Sequence, residues 1–216
     1  MKLSLALLVL LMVLTFAVMA AASVTTHEYV APPGWSLMAL RGVPLDPEPS
    51  SVFGSAQIDG RLYRWNAARQ SMLLYDELDP DFFGDMLLTE GYWLKNTTGS
   101  NETVSFSGLN DNDAMDVWIS LPKKGWTLIG HPFSYSFPWQ NAKVTDGNTT
   151  KSLFDASQWG VGWVCSVGYG WDQTHRSMFS IGVEDDFPMR DTLEAWHGYW
   201  IKSFFDKKAL ILESIP

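Results

Sequence analysis

The feature that most constrains the fold is a segment that occurs twice, as residues 90–95 (EGYWLK) and again as residues 197–202 (HGYWIK). A second pair precedes it in the same order, because residues 34–38 (GWSLM) match residues 125–129 (GWTLI). The offset is 107 residues for the first pair and 91 for the second. Motifs that recur in one order at a similar offset predict a duplicated structural unit.

A hairpin pattern lies between these motifs in both halves. Trp65 and Trp171 are each followed by a polar loop of five residues, at 66–70 and 172–176. Each loop opens with Asn or Asp, whose side chain can hydrogen-bond the turn that follows it. The sequence therefore predicts the same β-hairpin twice. Because Trp171 has a counterpart in Trp65, we expect it to be a core residue.

The repeated Gly-Tyr-Trp segment alternates as a strand does. A period of two places Tyr92 and Leu94 on one face and Trp93 on the other. The second copy alternates in the same way, so Trp200 is equivalent to Trp93. We expect the tyrosine face to be core and the two tryptophans to lie half exposed, where they could close the contact between the two halves.

Together these patterns predict a mainly β chain with minor α content, built as two tandem homologous modules. Each is expected to be a small β-sheet or barrel-like unit with short helical turns. We assign residues 24–108 to module one, 109–116 to a polar linker and 117–216 to module two. The closing strand, at 209–212, is expected to pair with residues 104–106 of module one.

The N-terminus has the pattern of an exported protein. Lys2 precedes a nearly unbroken apolar run, and small residues follow at 20–23. This is typical of a secretory signal peptide, which we assign to residues 1–22. An uncleaved membrane anchor is the alternative, because the run approaches the length that spans a bilayer. The expected location is secreted, periplasmic or at the cell surface, with membrane contact only through an uncleaved signal.

Charge and cysteine content narrow the classes of partner. The formal net charge is −9, which argues against nucleic acid and against an anionic membrane surface. Cys165 is the only cysteine, so no intramolecular disulfide can form. Polysaccharide or other cell-surface components remain as expected partners, and no pattern sets an oligomeric state.

The motifs resemble the tandem Gly-Trp…Gly-Tyr-Trp β-rich repeat modules of exported microbial surface or accessory proteins. The resemblance covers about residues 34–108 and 125–213. It implies a non-catalytic β module at the cell surface or outside the cell, and it carries over no functional residues. Module two departs from module one at His131, where module one has Leu40.

Carbohydrate recognition is the most specific functional hypothesis. Between its first motif and its hairpin, module two is about 15 residues longer than module one, and this aromatic insertion lies at about 132–168. Exposed aromatic rings can stack on the flat C–H faces of sugars. The candidate ligand-binding residues in and beside the insertion are Trp139, Trp159, Trp163 and Tyr169. Structural packing is the alternative role for these rings.

A calcium site is a weaker hypothesis. Asp111, Asp113 and Asp116 supply oxygen ligands at alternating spacing. The run lacks the glycine and the distal Glu of an EF-hand, so a solvated linker is favoured. No other cofactor is predicted.

Three N-glycosylation sequons begin at Asn96, Asn101 and Asn148, and all three are expected in loops. They matter only in an organism that glycosylates asparagine.

Catalytic motifs are absent from the sequence. The four histidines have no zinc-binding spacing, and there is no G-x-S-x-G elbow or P-loop. The acidic run 184–186 could supply a glycosidase carboxylate pair, as any acidic protein could. We therefore predict an exported, non-catalytic binding or structural protein of the cell exterior. A polysaccharide-binding protein that uses the module-two aromatics is one alternative, and a small secreted hydrolase is another.

Overall fold

The computed structural model describes residues 24–54, 58, 60–182 and 189–215. The assigned signal peptide and the acidic run 184–186 lie outside the described residues. Within them the chain is mainly β, as the alternating patterns predict, and its helices are short. None of the helices found in these ranges has the length and apolarity needed to cross a bilayer.

Module one forms two antiparallel sheets. Its strands are β1 (Val24–Ala31), β2 (Gly34–Ala39), β3 (Val43–Pro44), β4 (Leu62–Asn66), β5 (Ser71–Leu74), β6 (Gly91–Asn96) and β7 (Glu102–Leu109). Its helices are α1 (Pro49–Phe53) and α2 (Pro80–Phe83). The sheet orders are β2-β6-β4-β5 and β1-β7-β3. The connection to module two contains a 3₁₀ turn, Asp111–Ala114.

Module two repeats this arrangement and adds to it. Its elements are β8 (Val117–Leu121), β9 (Gly125–Gly130), β10 (Phe137–Pro138), a 3₁₀ turn (Trp139–Asn141), β11 (Lys143–Thr145), β12 (Thr150–Ser152), α3 (Leu153–Ala156), β13 (Gly168–Asp172), β14 (Ser177–Ile181), β15 (Thr192–Leu193), β16 (Gly198–Ser203) and β17 (Lys208–Leu212). The sheet orders are β9-β16-β13-β14, β8-β17-β11-β12 and β10-β15.

The two modules share one strand order. Sheet β2-β6-β4-β5 corresponds to β9-β16-β13-β14, and β1-β7-β3 corresponds to β8-β17-β11. The repeated topology and the two hairpins, β4–β5 and β13–β14, are therefore confirmed. Of the two forms expected, the described sheets take the open form and do not close into barrels.

The predicted partner of the closing strand is wrong. Strand β17 pairs with β8 and β11 of its own module, and β7 pairs with β1 and β3. Each module completes its second sheet with its own last strand. The alternation of β17 determines which face it buries, but it does not determine which neighbour supplies the backbone hydrogen bonds.

Each module has its own hydrophobic core, built on the tyrosine of the repeated segment. Tyr92 and Tyr199 are fully buried, which confirms the predicted core face. The Tyr92 hydroxyl accepts a hydrogen bond from the Leu87 amide at 2.6 Å, and the Tyr199 hydroxyl accepts one from the Glu194 amide at 2.7 Å. Burial of each phenol is thus accompanied by a partner for its oxygen.

The insertion of module two mainly extends its core. Trp139 is fully buried, and its indole Nε1–H donates to the Ser166 carbonyl at 2.7 Å. Phe133, Phe137 and Val164 are buried in the same cluster. The packing role therefore applies to Trp139 and to these neighbours, whereas Phe154 and Trp159 of the same segment are exposed.

The modules meet through reciprocal contacts. The Ala39 amide donates to the Trp196 carbonyl at 3.0 Å, and the Gly130 amide donates to the Thr89 carbonyl at 2.9 Å. By the motif offsets these four residues form two equivalent pairs. An interface in which each contact is repeated with the modules exchanged is isologous, so an approximate two-fold axis relates the modules.

Candidate ligand-binding surface

Aromatic side chains from both modules form one exposed surface, which we call the paired aromatic face. It consists of Trp35, Tyr63, Trp65, Trp93, Trp126, Tyr169, Trp171 and Trp200. These residues lie on β2, β4 and β6 of module one and on β9, β13 and β16 of module two. Because strand side chains alternate, the strands that bury Tyr92 and Tyr199 present these rings on their opposite face.

The face contains two shallow cavities in equivalent positions. The first measures about 450 Å³ and includes Trp35, Tyr63 and Met72 in its lining. The second measures about 520 Å³ and includes the equivalent Trp126 and Tyr169, with Met178 in place of Met72. Trp65 and Trp200 line both cavities, so the two adjoin across the contact between the modules.

Pairs of tryptophans close the centre of the face. Trp93 contacts Trp171 with ring centroids 5.3 Å apart, and Trp65 contacts Trp200 at 5.1 Å. Both pairs are edge-to-face, the arrangement that the ring quadrupole favours. The predicted role of Trp93 and Trp200 in closing the contact between modules is confirmed. Trp171, expected in the core, lies half exposed on this face instead.

Two hydrogen bonds donated by indole N–H groups connect the modules. Trp65 Nε1 donates to the Trp126 carbonyl at 2.7 Å, and Trp171 Nε1 donates to the Trp35 carbonyl at 2.9 Å. These bonds occupy the polar atoms of both indoles. Their ring carbons are left to form the apolar surface of the face.

A lysine contacts each outer ring. The Lys95 ammonium lies 5.5 Å from the Trp35 ring centroid, and the Lys202 ammonium lies 5.6 Å from that of Trp126. Such cation–π contacts help to fix the outer rings in place. Trp35 remains 39% exposed, so a ligand can reach it.

The residues predicted for sugar binding do not form one site. Tyr169 belongs to the paired aromatic face. Trp139 is buried in the core, so its predicted stacking role is wrong. Trp159 is 99% exposed beside a separate cavity of about 500 Å³ that Phe154 and Asn141 also line.

Trp163 occupies a third location. It packs against the core of module two and is half buried. The Lys151 and Lys208 ammonium groups lie 4.1 and 4.9 Å from its ring centroid.

Most of the paired aromatic face was missed from the sequence. Trp35 and Trp65 recur in both halves, and the resemblance to repeat modules assigns no function to recurring residues. A signal was nevertheless available, because these tryptophans alternate with the residues assigned to the core. Several large rings that share the outer face of a repeated strand form an apolar patch, and such a patch indicates a contact or a ligand-binding surface.

The predicted calcium ligands have other partners. The Asp113 carboxylate accepts hydrogen bonds from the amide and the hydroxyl of Ser134, and Asp116 accepts one from the Ser214 amide at 3.0 Å. These bonds fasten the connecting segment to module two. The described residues contain no group of three or more acidic, histidine or cysteine side chains that could hold a metal, and the side chain of Asp111 is outside them.

One of the three sequons is buried. Asn96 ends β6, and its side-chain amide donates to the Ala31 carbonyl at 2.9 Å and to the Ser100 carbonyl at 2.7 Å. Asn96 is thus a structural residue of the strand end, and its prediction as a loop glycan site is wrong. Asn101 and Asn148 are exposed in loops, where the prediction stands.

Replacing Asn96 by alanine is therefore expected to lower the free energy of unfolding by about 2 kcal/mol, because the buried Ala31 carbonyl loses its donor and the turn after β6 loses the bond to the Ser100 carbonyl. Asn101→Ala and Asn148→Ala should each change it by less than about 0.5 kcal/mol, as exposed substitutions do. Urea denaturation of the three variants measures the difference. Equal stability of all three would contradict the structural role of Asn96.

A cleft of about 400 Å³ on another side of the contact between modules holds an ion pair. Glu90 lies 2.6 Å from the Arg64 guanidinium. Burial raises the pKa of the Glu90 carboxyl, although Arg64 opposes this effect. Glu90 is the acidic side chain among the residues that line this cleft.

Comparisons of this chain with protein-family models, with curated proteins and with solved structures find no match.

Proposed function

We propose that the protein is an exported, non-catalytic binding protein that holds a polysaccharide on the paired aromatic face. One observation carries the proposal: rings from both modules lie side by side on the surface, and the contact between modules orients them. Export rests on the signal-peptide pattern of residues 1–22.

The chemistry of the face favours a sugar chain over other ligands. Its lining is aromatic and thioether, and the cavities are shallow, which suits a flat and extended ligand. Sugar rings offer C–H faces that stack on indole, while their hydroxyls remain in water. Two adjoining cavities can engage neighbouring parts of one chain, which strengthens binding through effective concentration.

The test removes the outer ring from each cavity. Trp35→Ala and Trp126→Ala are each expected to weaken polysaccharide binding about tenfold, and the double variant about a hundredfold, because truncation of a central aromatic contact costs about 1–2 kcal/mol. The hydrogen bonds between modules use the main-chain carbonyls of Trp35 and Trp126. The alanine substitutions therefore leave both acceptors in place. Depletion assays on insoluble cellulose, chitin, xylan and pectin, followed by calorimetry on soluble fragments, measure the loss.

Trp118→Ala and Trp159→Ala are matched controls. Trp118 is 60% exposed on β8, and neither ring belongs to the paired aromatic face. Both variants should bind as the parent does. A double Trp35/Trp126 variant that binds normally, or no binding to any polysaccharide, would refute the proposal. Loss of binding in Trp159→Ala alone would move the site to the separate cavity beside Trp159.

A further inference from the structure

Six lysines gather at one end of module two, and we call this group the lysine tip. It consists of Lys123, Lys124, Lys151, Lys202, Lys207 and Lys208. The turns that carry most of them adjoin: the Lys207 amide donates to the Pro122 carbonyl at 3.1 Å, and the Lys124 amide donates to Asp206 at 2.7 Å. Lys151 joins the group through Trp163, which it shares with Lys208.

The lysine tip differs in sign from the rest of the protein. Lys123 lies 3.5 Å from Asp206. Asp206 also interacts electrostatically with Lys207, and Asp146 with Lys208, so these six ammonium groups outnumber the two carboxylates beside them. The Lys151 and Lys208 ammonium groups both lie within 5 Å of one ring centroid. Like charges brought together repel unless an anion lies between them. On a chain with a net charge of −9, this cluster is a localised positive field.

The fold does not require these charges, because module one forms the equivalent turns without them. Residues 32–34 (PPG) correspond to 122–125 (PKKG), and residues 97–101 (TTGSN) correspond to 204–208 (FFDKK). Both sets join equivalent strands. The four lysines of these turns are thus an addition to one end of a duplicated scaffold, whereas Lys202 has a counterpart in Lys95.

The lysine tip is continuous with the paired aromatic face. The Lys202 ammonium lies 5.6 Å from the Trp126 ring centroid and 5.9 Å from that of Phe204. Phe204 and Phe205 are exposed on the same turn as Lys207. A chain that lies across the second cavity and continues outward therefore passes from stacking rings to ammonium groups.

We infer that the ligand of the paired aromatic face is an acidic polysaccharide, whose carboxylate or sulfate groups contact the lysine tip. This inference rests on the proposed function. Stacking recognises the C–H faces of a sugar whether or not it is charged, so the rings alone do not select an acidic chain. The lysine tip supplies that selection, because charge complementarity at an exposed surface contributes mainly to specificity and to the association rate.

The test compares polymers that differ only in charge. Polygalacturonate and its methyl ester form one pair, and fucoidan and desulfated fucoidan form another. At 50 mM NaCl, one acidic polymer is expected to bind about tenfold more tightly than its neutral counterpart, from several contacts of up to about 1 kcal/mol each. At 500 mM NaCl this advantage should largely vanish, because surface charges are screened.

A triple variant assigns the effect to the lysine tip. Lys124→Gln, Lys207→Gln and Lys208→Gln together should weaken acidic-polymer binding about tenfold and leave neutral-polymer binding unchanged. Lys202 is kept, because it also packs on Trp126. The control variant removes three cations elsewhere, with Arg69→Gln, Lys143→Gln and Arg176→Gln, and should retain the preference. Melting temperatures show whether each variant is folded.

Each other result has a defined meaning. Equal binding of acidic and neutral polymers overturns the inference and leaves the proposed function in place. Failure to bind any glycan removes the proposed function itself. Binding to phosphatidylcholine vesicles that contain 30% phosphatidylglycerol, lost in the triple variant and without a preference among polymers, would assign the lysine tip to lipid headgroups and overturn the inference.

Discussion

Replacing Gly130 by alanine is expected to lower the free energy of unfolding by about 4 kcal/mol, at the upper end of what single substitutions do. A Cβ atom at this position would lie 2.5 Å from the Glu90 carbonyl oxygen and 2.9 Å from the Leu88 carbonyl oxygen and the Ala39 Cβ. All three belong to module one, so the methyl group would force the modules apart. Urea denaturation measures the loss.

Gly160→Ala is the control for this substitution. Gly160 has a positive φ of 81°, but a Cβ there would meet nothing within 4 Å. Its expected cost is about 1 kcal/mol, from backbone strain alone. If Gly130→Ala cost no more than Gly160→Ala, the modules would not pack as closely as described. The Gly130 variant should also bind polysaccharide more weakly, because the paired aromatic face needs both modules.

Acidification from pH 7 to pH 4 is expected to lower the free energy of unfolding by about 3 kcal/mol through His131 alone. His131 is fully buried, and burial lowers its pKa to about 4 from an ordinary value of 6.5. Its Nε2 lies 2.7 Å from the Tyr135 carbonyl and so carries the hydrogen, which leaves Nδ1 to receive any added proton. Nδ1 has no hydrogen-bond partner among the described residues.

The direction of the effect follows from the two pKa values. Between pH 6.5 and about 4 the unfolded chain binds a proton that the folded protein does not, so stability falls as the pH falls through this range. Below about pH 4 both states are protonated and this contribution stops changing. Chemical denaturation at half-unit pH steps gives the profile.

His131→Leu isolates this residue from the other titrating groups. Module one has Leu40 at the equivalent position, and Leu40 is fully buried, so the scaffold accepts leucine there. In this variant the free energy of unfolding should fall less between pH 6.5 and pH 4, because the contribution of His131 is gone. The contribution of the carboxylates should be unchanged. Parallel pH profiles for parent and variant would show that His131 does not titrate in this way.

The architecture could be predicted because it depends on short sequence patterns, and both modules contain the same patterns. The alternation around Tyr92 and Tyr199 determines which face is core, and the Asx residues at 66 and 172 mark the hairpin turns. Pairing partners are different. The partner of β17 depends on how the modules separate in space, and alternation within one strand carries no information on that.

The paired aromatic face could not be derived in the same way. Alternation shows that Trp93 points away from the core, and it also allowed a contact between modules to be expected. It does not show that Trp65 and Trp171 cross into the opposite module and donate to its backbone. Trp139 shows the converse error, because an aromatic ring in an insertion has no periodic neighbours that would reveal its burial.

The approximate two-fold relation between the modules determines how the proposed ligand, a sugar chain, would meet the two cavities. A glycan has a reducing end and a non-reducing end, whereas a rotation that exchanges the modules reverses the direction of any line drawn between the two cavities. The first cavity therefore meets the chain in one orientation and the second meets it in the opposite one. Under the proposed function, the rings alone therefore accept a strand of either polarity equally well, and only the lysine tip beside the second cavity distinguishes the two directions.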